Sequence, residues 1–280
     1  MDKSLINYEH EHENASAHEM RFPRFEPLGS GYPFALQDQY ERILVKIDAA
    51  WDSADIDEVF SDLIIDRRGG RQGFPLDVLN DIIRLKEFRQ SEKLRLQELK
   101  QQALVALEQQ GLKLEAGDFM KVLLDGDQQT LDLFINAGFR FQHLRDKQES
   151  SPLLIALKKG YTVCAHMLLK AGDYANAKDK LGLTPLLISC GKTTHGFRSI
   201  TELLIKSGAD LGVRDPLGNT PLLLALSGGM LDIALLLLQH GADKSATNKA
   251  GESMLTLLEE YADPDNADFA AIQDYLEQQD

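Results

Sequence analysis

The chain has 280 residues, 43% of them hydrophobic and 26% charged, and a formal net charge of −14, the composition of an ordinary folded protein rather than a fibrous or low-complexity one. It contains no apolar run of the roughly 18 residues a membrane span needs, and the opening MDKSLINYEHEHENASAHEM lacks the apolar core of a signal peptide, so a cytoplasmic protein is expected. An acidic chain also repels nucleic acid at long range, although a local basic strip could still act.

Taken in order, residues 1–34 cluster Glu and His, scatter Pro and Gly, and show no sustained period, so a disordered acidic tail is expected there. His10, His12 and His18 lie among Glu9, Glu11, Glu13 and Glu19, but their spacing matches no established metal site and a solvated tail is the reading taken. Arg21-Phe22-Pro23-Arg24-Phe25 is a short basic-aromatic segment, read as an anchored stretch of tail or a dock onto another surface.

Residues 35–112 read as an N-terminal helical domain. Leu36, Tyr40, Ile43, Leu44, Ile47 and Trp51 line one helical face, and Ile56, Val59, Phe60, Leu63 and Ile64 a second. The connector DRRGGRQGFP spans Asp66 to Pro75. Arg67, Arg68, Arg71 and Phe74 form a secondary candidate site there, because Arg-Gly-Gly tracts track phosphate and stack on bases; glycines and a proline are also what a plain connector between helices requires. A third helix is expected over Leu76 to Phe88. A polar interval at Arg89 to Lys93 then predicts a break, with Ser91 capping a fresh helix that carries Leu94, Leu96, Leu99, Ala103, Leu104 and Leu107. That last helix is expected to cover the exposed end of the C-terminal part of the chain, since about two heptads are too few for a coiled coil.

From about residue 113 the chain repeats. Thr184 lies 33 positions after Ser151, Ser253 lies 33 after Thr220 and Gly241 lies 33 after Gly208, whereas Thr220 lies 36 after Thr184. The unit is therefore 33 residues with three inserted once, at Gly191 to Ser199. Asp146, Asp179, Asp215 and Asn248 share one turn position, and Gly138, Gly172, Gly208 and Gly241 each come after a second helix. The Ser or Thr of Ser151-Pro152-Leu153, Thr184-Pro185-Leu186 and Thr220-Pro221-Leu222 supplies a helix cap, and the proline comes next, where its missing N–H costs nothing. Ala156, Ser189 and Ala225 are small enough for close helix approach. Leu168, Leu204 and Leu237 should fill the space between neighbouring units.

These in-phase features, with Asn176-Ala177-Lys178-Asp179 and two Gly-Ala-Asp triplets, resemble the ankyrin repeat. The resemblance covers about residue 114 to the C-terminus and implies an all-α solenoid of helix pairs with short hairpin turns. It departs from the family where His usually comes after Thr-Pro-Leu: Leu154, Leu187 and Leu223 stand there, so this stack should lean on apolar burial. Repeats are expected over 113–262 and an acidic capping helix over 263–280, where Gly251 to Asp280 hold nine acids and no base. Cys164 and Cys190 fall at small buried positions and are read as core filler.

The resemblance implies a non-catalytic module that binds other proteins through hairpin tips and the inner helices, which together form a concave face. Carried over position by position, the partner-binding candidates are Lys147, Gln148, Lys158, Lys159, Lys178, Lys180, Leu181, Lys192, His195, Arg214, Pro216, Leu217, Asn219 and Lys249. Many are basic in an acidic chain, so an acidic protein segment is the expected partner of this adaptor or scaffold. Changing Lys158, Lys159, Lys178 and Lys180 to Glu is expected to abolish capture without lowering stability. The alternatives are an inhibitor or immunity-type protein, and a nucleic-acid-associated regulator using Arg67 to Arg71. No phosphate loop, Cys-x-x-Cys, His-Glu-x-x-His or Gly-x-Ser-x-Gly occurs, so no enzyme, cofactor, metal or small-molecule substrate is expected.

Overall fold

A computed structural model describes residues 34–53, 55–64, 76–191, 197–261 and 266–277. The described residues hold thirteen helices: α1 (Phe34–Ala50), α2 (Ile56–Ile64), α3 (Leu76–Gln109), α4 (Ala116–Asp125), α5 (Gln128–Asn136), α6 (Pro152–Lys159), α7 (Thr162–Lys170), α8 (Pro185–Cys190), α9 (Phe197–Lys206), α10 (Pro221–Ser227), α11 (Leu231–Gln239), α12 (Met254–Tyr261) and α13 (Ala267–Glu277). The only bridge of strand type among them joins Thr247 to Ser253. None of these helices is long and apolar enough to cross a membrane. The chain forms two compact units, residues 1–96 and 97–280, and the division falls inside α3.

In the first unit the helical period converts directly into a core. Tyr40, Ile43, Leu44 and Ile47 of α1, Ile56 and Phe60 of α2, and Val78, Ile82 and Leu85 of α3 are buried together around Trp51. The indole meets Phe60 edge-on at 6.5 Å, and the Arg89 guanidinium lies 5.3 Å from its ring centre, a cation–π placement. The Tyr40 hydroxyl donates to Asp81 Oδ2 at 3.2 Å.

The expected break at Arg89 to Lys93 does not occur: α3 is one helix of 34 residues. No Gly or Pro interrupts Leu76 to Gln110, and Ser91 donates its hydroxyl back to the Phe88 carbonyl at 2.8 Å instead of capping a new start. Leu94, Leu96 and Leu99 are exposed, whereas Ala103 and Leu107 are buried with Phe119, Phe134 and Phe141. Within the second unit the end of α3 therefore covers the first repeat, whose centre is aromatic. Phe119 stacks on Phe141 at 5.3 Å and meets Phe134 edge-on at 5.6 Å.

The second unit is two rows of helices. Helices α4, α6, α8, α10 and α12 pack in succession as an inner row and α5, α7, α9, α11 and α13 as an outer row, with α4, α6, α8 and α10 each pairing with the outer helix after it. No helix pair could bury its own apolar side alone, and the stack resolves this by continuity. Leu168, Leu204 and Leu237 are fully buried between neighbours, as are Ala156, Ser189 and Ala225. Leu154, Leu187 and Leu223 are buried too, as the expected reliance on apolar burial requires. Ser151, Thr184 and Thr220 accept the N–H of Leu154, Leu187 and Leu223 at 3.3–3.4 Å, each with Pro at the first helical position. Helix α13 packs on α11 in the outer row.

Candidate functional site

Between successive pairs the chain forms four equivalent hairpins, each built by one carboxylate or amide. Asp146 Oδ1 accepts from the backbone N–H of Gln148 and Ser150, Asp179 Oδ1 from Leu181 and Leu183, Asp215 Oδ1 from Leu217 and Asn219, and Asn248 Oδ1 from Ala250 and Glu252, all at 2.8–3.0 Å. Each turn residue also donates its own N–H to the carbonyl four positions on. A short acceptor that closes its own backbone is why Asp and Asn recur here. The fourth position of each turn is left-handed: Gly182, Gly218 and Gly251 have φ of 78°, 83° and 84°, but the first hairpin puts Glu149 there, at 63°.

The residues beside these turns carry the basic candidates, and the structure commits several of them. Lys180 donates its backbone N–H to Gln148 O at 3.0 Å and its ammonium to Lys147 O at 2.6 Å. Lys249 repeats the arrangement at the joint between the last two hairpins, giving its N–H to Leu217 O at 3.0 Å and its ammonium to Pro216 O at 2.7 Å. Arg214 donates to Gly218 O and Thr247 O, and Asn219 is held between Asp215 Oδ2 and the Asn248 amide. These side chains rivet one hairpin to the next while still placing positive charge along the tips.

Lys158 is a correction to the sequence reading. Its ammonium donates to Ser150 Oγ and to Asp179 Oδ2, both at 2.8 Å, so it is an inter-repeat tie that a glutamate could not replace without cost to the fold. Burial works against the Asp179 charge. The hydrogen bond from Lys158, the N–H groups of Leu183 and Leu181, and the nearby ammonium charge more than offset it, holding the carboxyl below its usual value.

Lys147, Gln148, Lys159 and Lys178 are exposed, and no described residue takes a bond from their side-chain heads. Leu181 and Leu217, equivalent positions of the second and third hairpins, are each 66% exposed, and Pro216 is exposed beside them. Lys192, His195 and the secondary candidates Arg67, Arg68, Arg71 and Phe74 lie outside the described residues, as does the His-containing segment. Sequence reasoning passed over Arg145, which stands at the same turn position as Lys178 and Arg214 and donates to Gln142 O and Leu144 O; counting one position back from Asp146 would have found it.

Two other chemistry-bearing pairs resolve as structure. His166 faces the Thr162 carbonyl with Nδ1 at 2.8 Å, so Nδ1 carries the proton and Nε2 accepts from Ser199 Oγ at 2.6 Å, a link from α7 to α9. Cys164 and Cys190 are free and fully buried, and burial pushes the Cys190 thiol up to about 12. Neither is a nucleophile at neutral pH.

The family model for ankyrin repeats (3 copies) matches residues 119–215 and 172–248. No curated protein matches the chain.

Proposed function

From a chain whose residues 119–248 are ankyrin repeats, the hallmark of protein–protein interaction modules, we propose a non-catalytic binder that takes an acidic segment of a partner protein across its hairpin tips and inner helices. One observation supports this reading: Lys147, Lys178, Lys180, Arg214 and Lys249 recur beside successive turns of a chain whose net charge is −14. Charge so arranged steers an acidic partner and rejects basic ones. Lys180, Arg214 and Lys249 bond backbone carbonyl oxygens, and among the described residues no carboxylate is in ion-pair contact with them.

The reading is tested by capture from native extract with the wild type and a Lys147→Glu, Lys159→Glu, Lys178→Glu variant, three exposed side chains that bond no described residue. Capture should be lost at unchanged melting temperature, and raised salt should weaken the wild-type interaction. Capture that survives the triple change would remove the basic tips from recognition. The same preparations probed with RNA and DNA address the nucleic-acid alternative, which rests on residues outside those described.

A further inference from the structure

The ladder that joins the tips is interrupted once. At the joint between the first and second hairpins, Lys180 supplies two donors, and at the joint between the third and fourth, Lys249 does the same. The equivalent residue at the middle joint is Pro216, which has neither a backbone N–H nor an ammonium. Lys180 O and Leu181 O, the counterparts of the carbonyls used at the other joints, receive no hydrogen bond from any described residue.

Space confirms the gap independently. A Cβ built on Gly218 would meet Lys249 N and Cγ at 3.1 Å, because the third and fourth tips are pressed together. A Cβ on the equivalent Gly182 would meet nothing within 4 Å. The repeats themselves remain in register below, since Asn176 bonds Gly208 O and Asp210 N at 2.9 Å. The missing ties are thus confined to the tips, and Leu181 and Leu217, the residues after Lys180 and Pro216 on the two hairpins concerned, are the most exposed leucines among the described residues of the unit.

We infer that this middle joint is where the partner docks, as an extended segment in which acidic and aliphatic residues alternate. The inference rests on the binding reading above and makes it specific. A backbone N–H of the segment fills the acceptor position at Leu181 O, the counterpart of Gln148 O and Leu217 O, which take a backbone N–H at the other two joints. An aliphatic side chain enters between Leu181, Leu217 and Pro216, removing apolar surface from water. An acidic side chain meets Lys178, whose ammonium has no partner among the described residues, with Arg214 on the far wall. In a period-2 segment, side chains alternate between the leucines and solvent-facing charge.

The test uses the full chain and a randomised peptide library displayed on phage, then titration of a selected synthetic peptide. Peptides alternating acidic and aliphatic residues should be enriched. Leu181→Ser or Leu217→Ser should weaken the selected peptide by about tenfold or more. Pro216→Lys restores both missing donors, should bridge the second and third tips, and should abolish peptide binding with the melting temperature unchanged or raised. If that variant fails to fold, the two leucine variants decide alone. Enrichment of no such pattern, or a selected peptide indifferent to all three changes, overturns the inference. Should such a peptide still be lost on Lys147→Glu with Lys159→Glu, the basic-tip reading survives and only its placement at the middle joint fails.

Discussion

The Lys158 ammonium lies 2.8 Å from both Ser150 Oγ and Asp179 Oδ2, on a carboxylate whose side chain is 2% exposed, so one side chain of α6 fastens the hairpin before it to the hairpin after it. Lys158→Met should cost about 1–3 kcal/mol in urea unfolding, nearer the lower end because the lysine is partly exposed. Lys178→Glu should stay within about 0.5 kcal/mol of wild type. Equal effects would show that the pair is not a structural tie.

The same carboxyl sets a pH dependence. Its folded-state value lies below the usual 3.8, so its contribution is present above that value and lost as pH falls through the lower, folded one. Chemical denaturation at neutral pH and at several points below 3.8 should show Asp179→Asn losing less stability on acidification than wild type. An unchanged acid slope would assign the loss to other groups.

Glu149 holds a left-handed φ of 63° at the position where the next three hairpins use glycine. Backbone strain of that kind costs on the order of 1 kcal/mol in a residue with a Cβ. Glu149→Gly should therefore raise stability by about 1 kcal/mol in thermal or urea unfolding. A loss would mean that the glutamate side chain stabilises the turn by more than the strain costs.

Leu237 is fully buried between neighbouring pairs, whereas Leu255, in sequence register with buried Leu153, Leu186 and Leu222, is 58% exposed because no inner helix comes after α12 among the described residues. Leu237→Ala should cost about 2–5 kcal/mol and Leu255→Ala less than about 0.5 kcal/mol. Comparable losses would place another element over the end of the stack.

The thiols offer a check on packing. Cys164 and Cys190 are both buried, and burial pushes both pKa values up, Cys190 to about 12. A soluble aromatic disulfide reagent at neutral pH should label neither in the native protein and both in denaturant. Rapid labelling of the native chain would show that the α7 and α8 cores open readily.

How much was readable before folding depends on the range of each interaction. Caps, the first-position prolines, the turn carboxylates and the 33-residue register are local: each is satisfied within a few residues, so Ser151, Thr184, Asp179 and Asp215 announce themselves by type and spacing. The buried leucines were legible for the same reason, since a fixed period puts them on one face. Tertiary structure alone decided what the basic residues do. Whether a lysine ties two repeats, as Lys158 does, or bonds no described residue, as with the Lys178 side chain, depends on which acceptor the neighbouring hairpin brings within about 3 Å, and composition carries no record of that distance. It also decided that α3 runs unbroken, because Ser91 can cap or bond back to its own helix. The open joint at Pro216 belongs to both levels: proline's missing donor is written in the sequence, but only the stack shows that the joints on either side are held together by that donor.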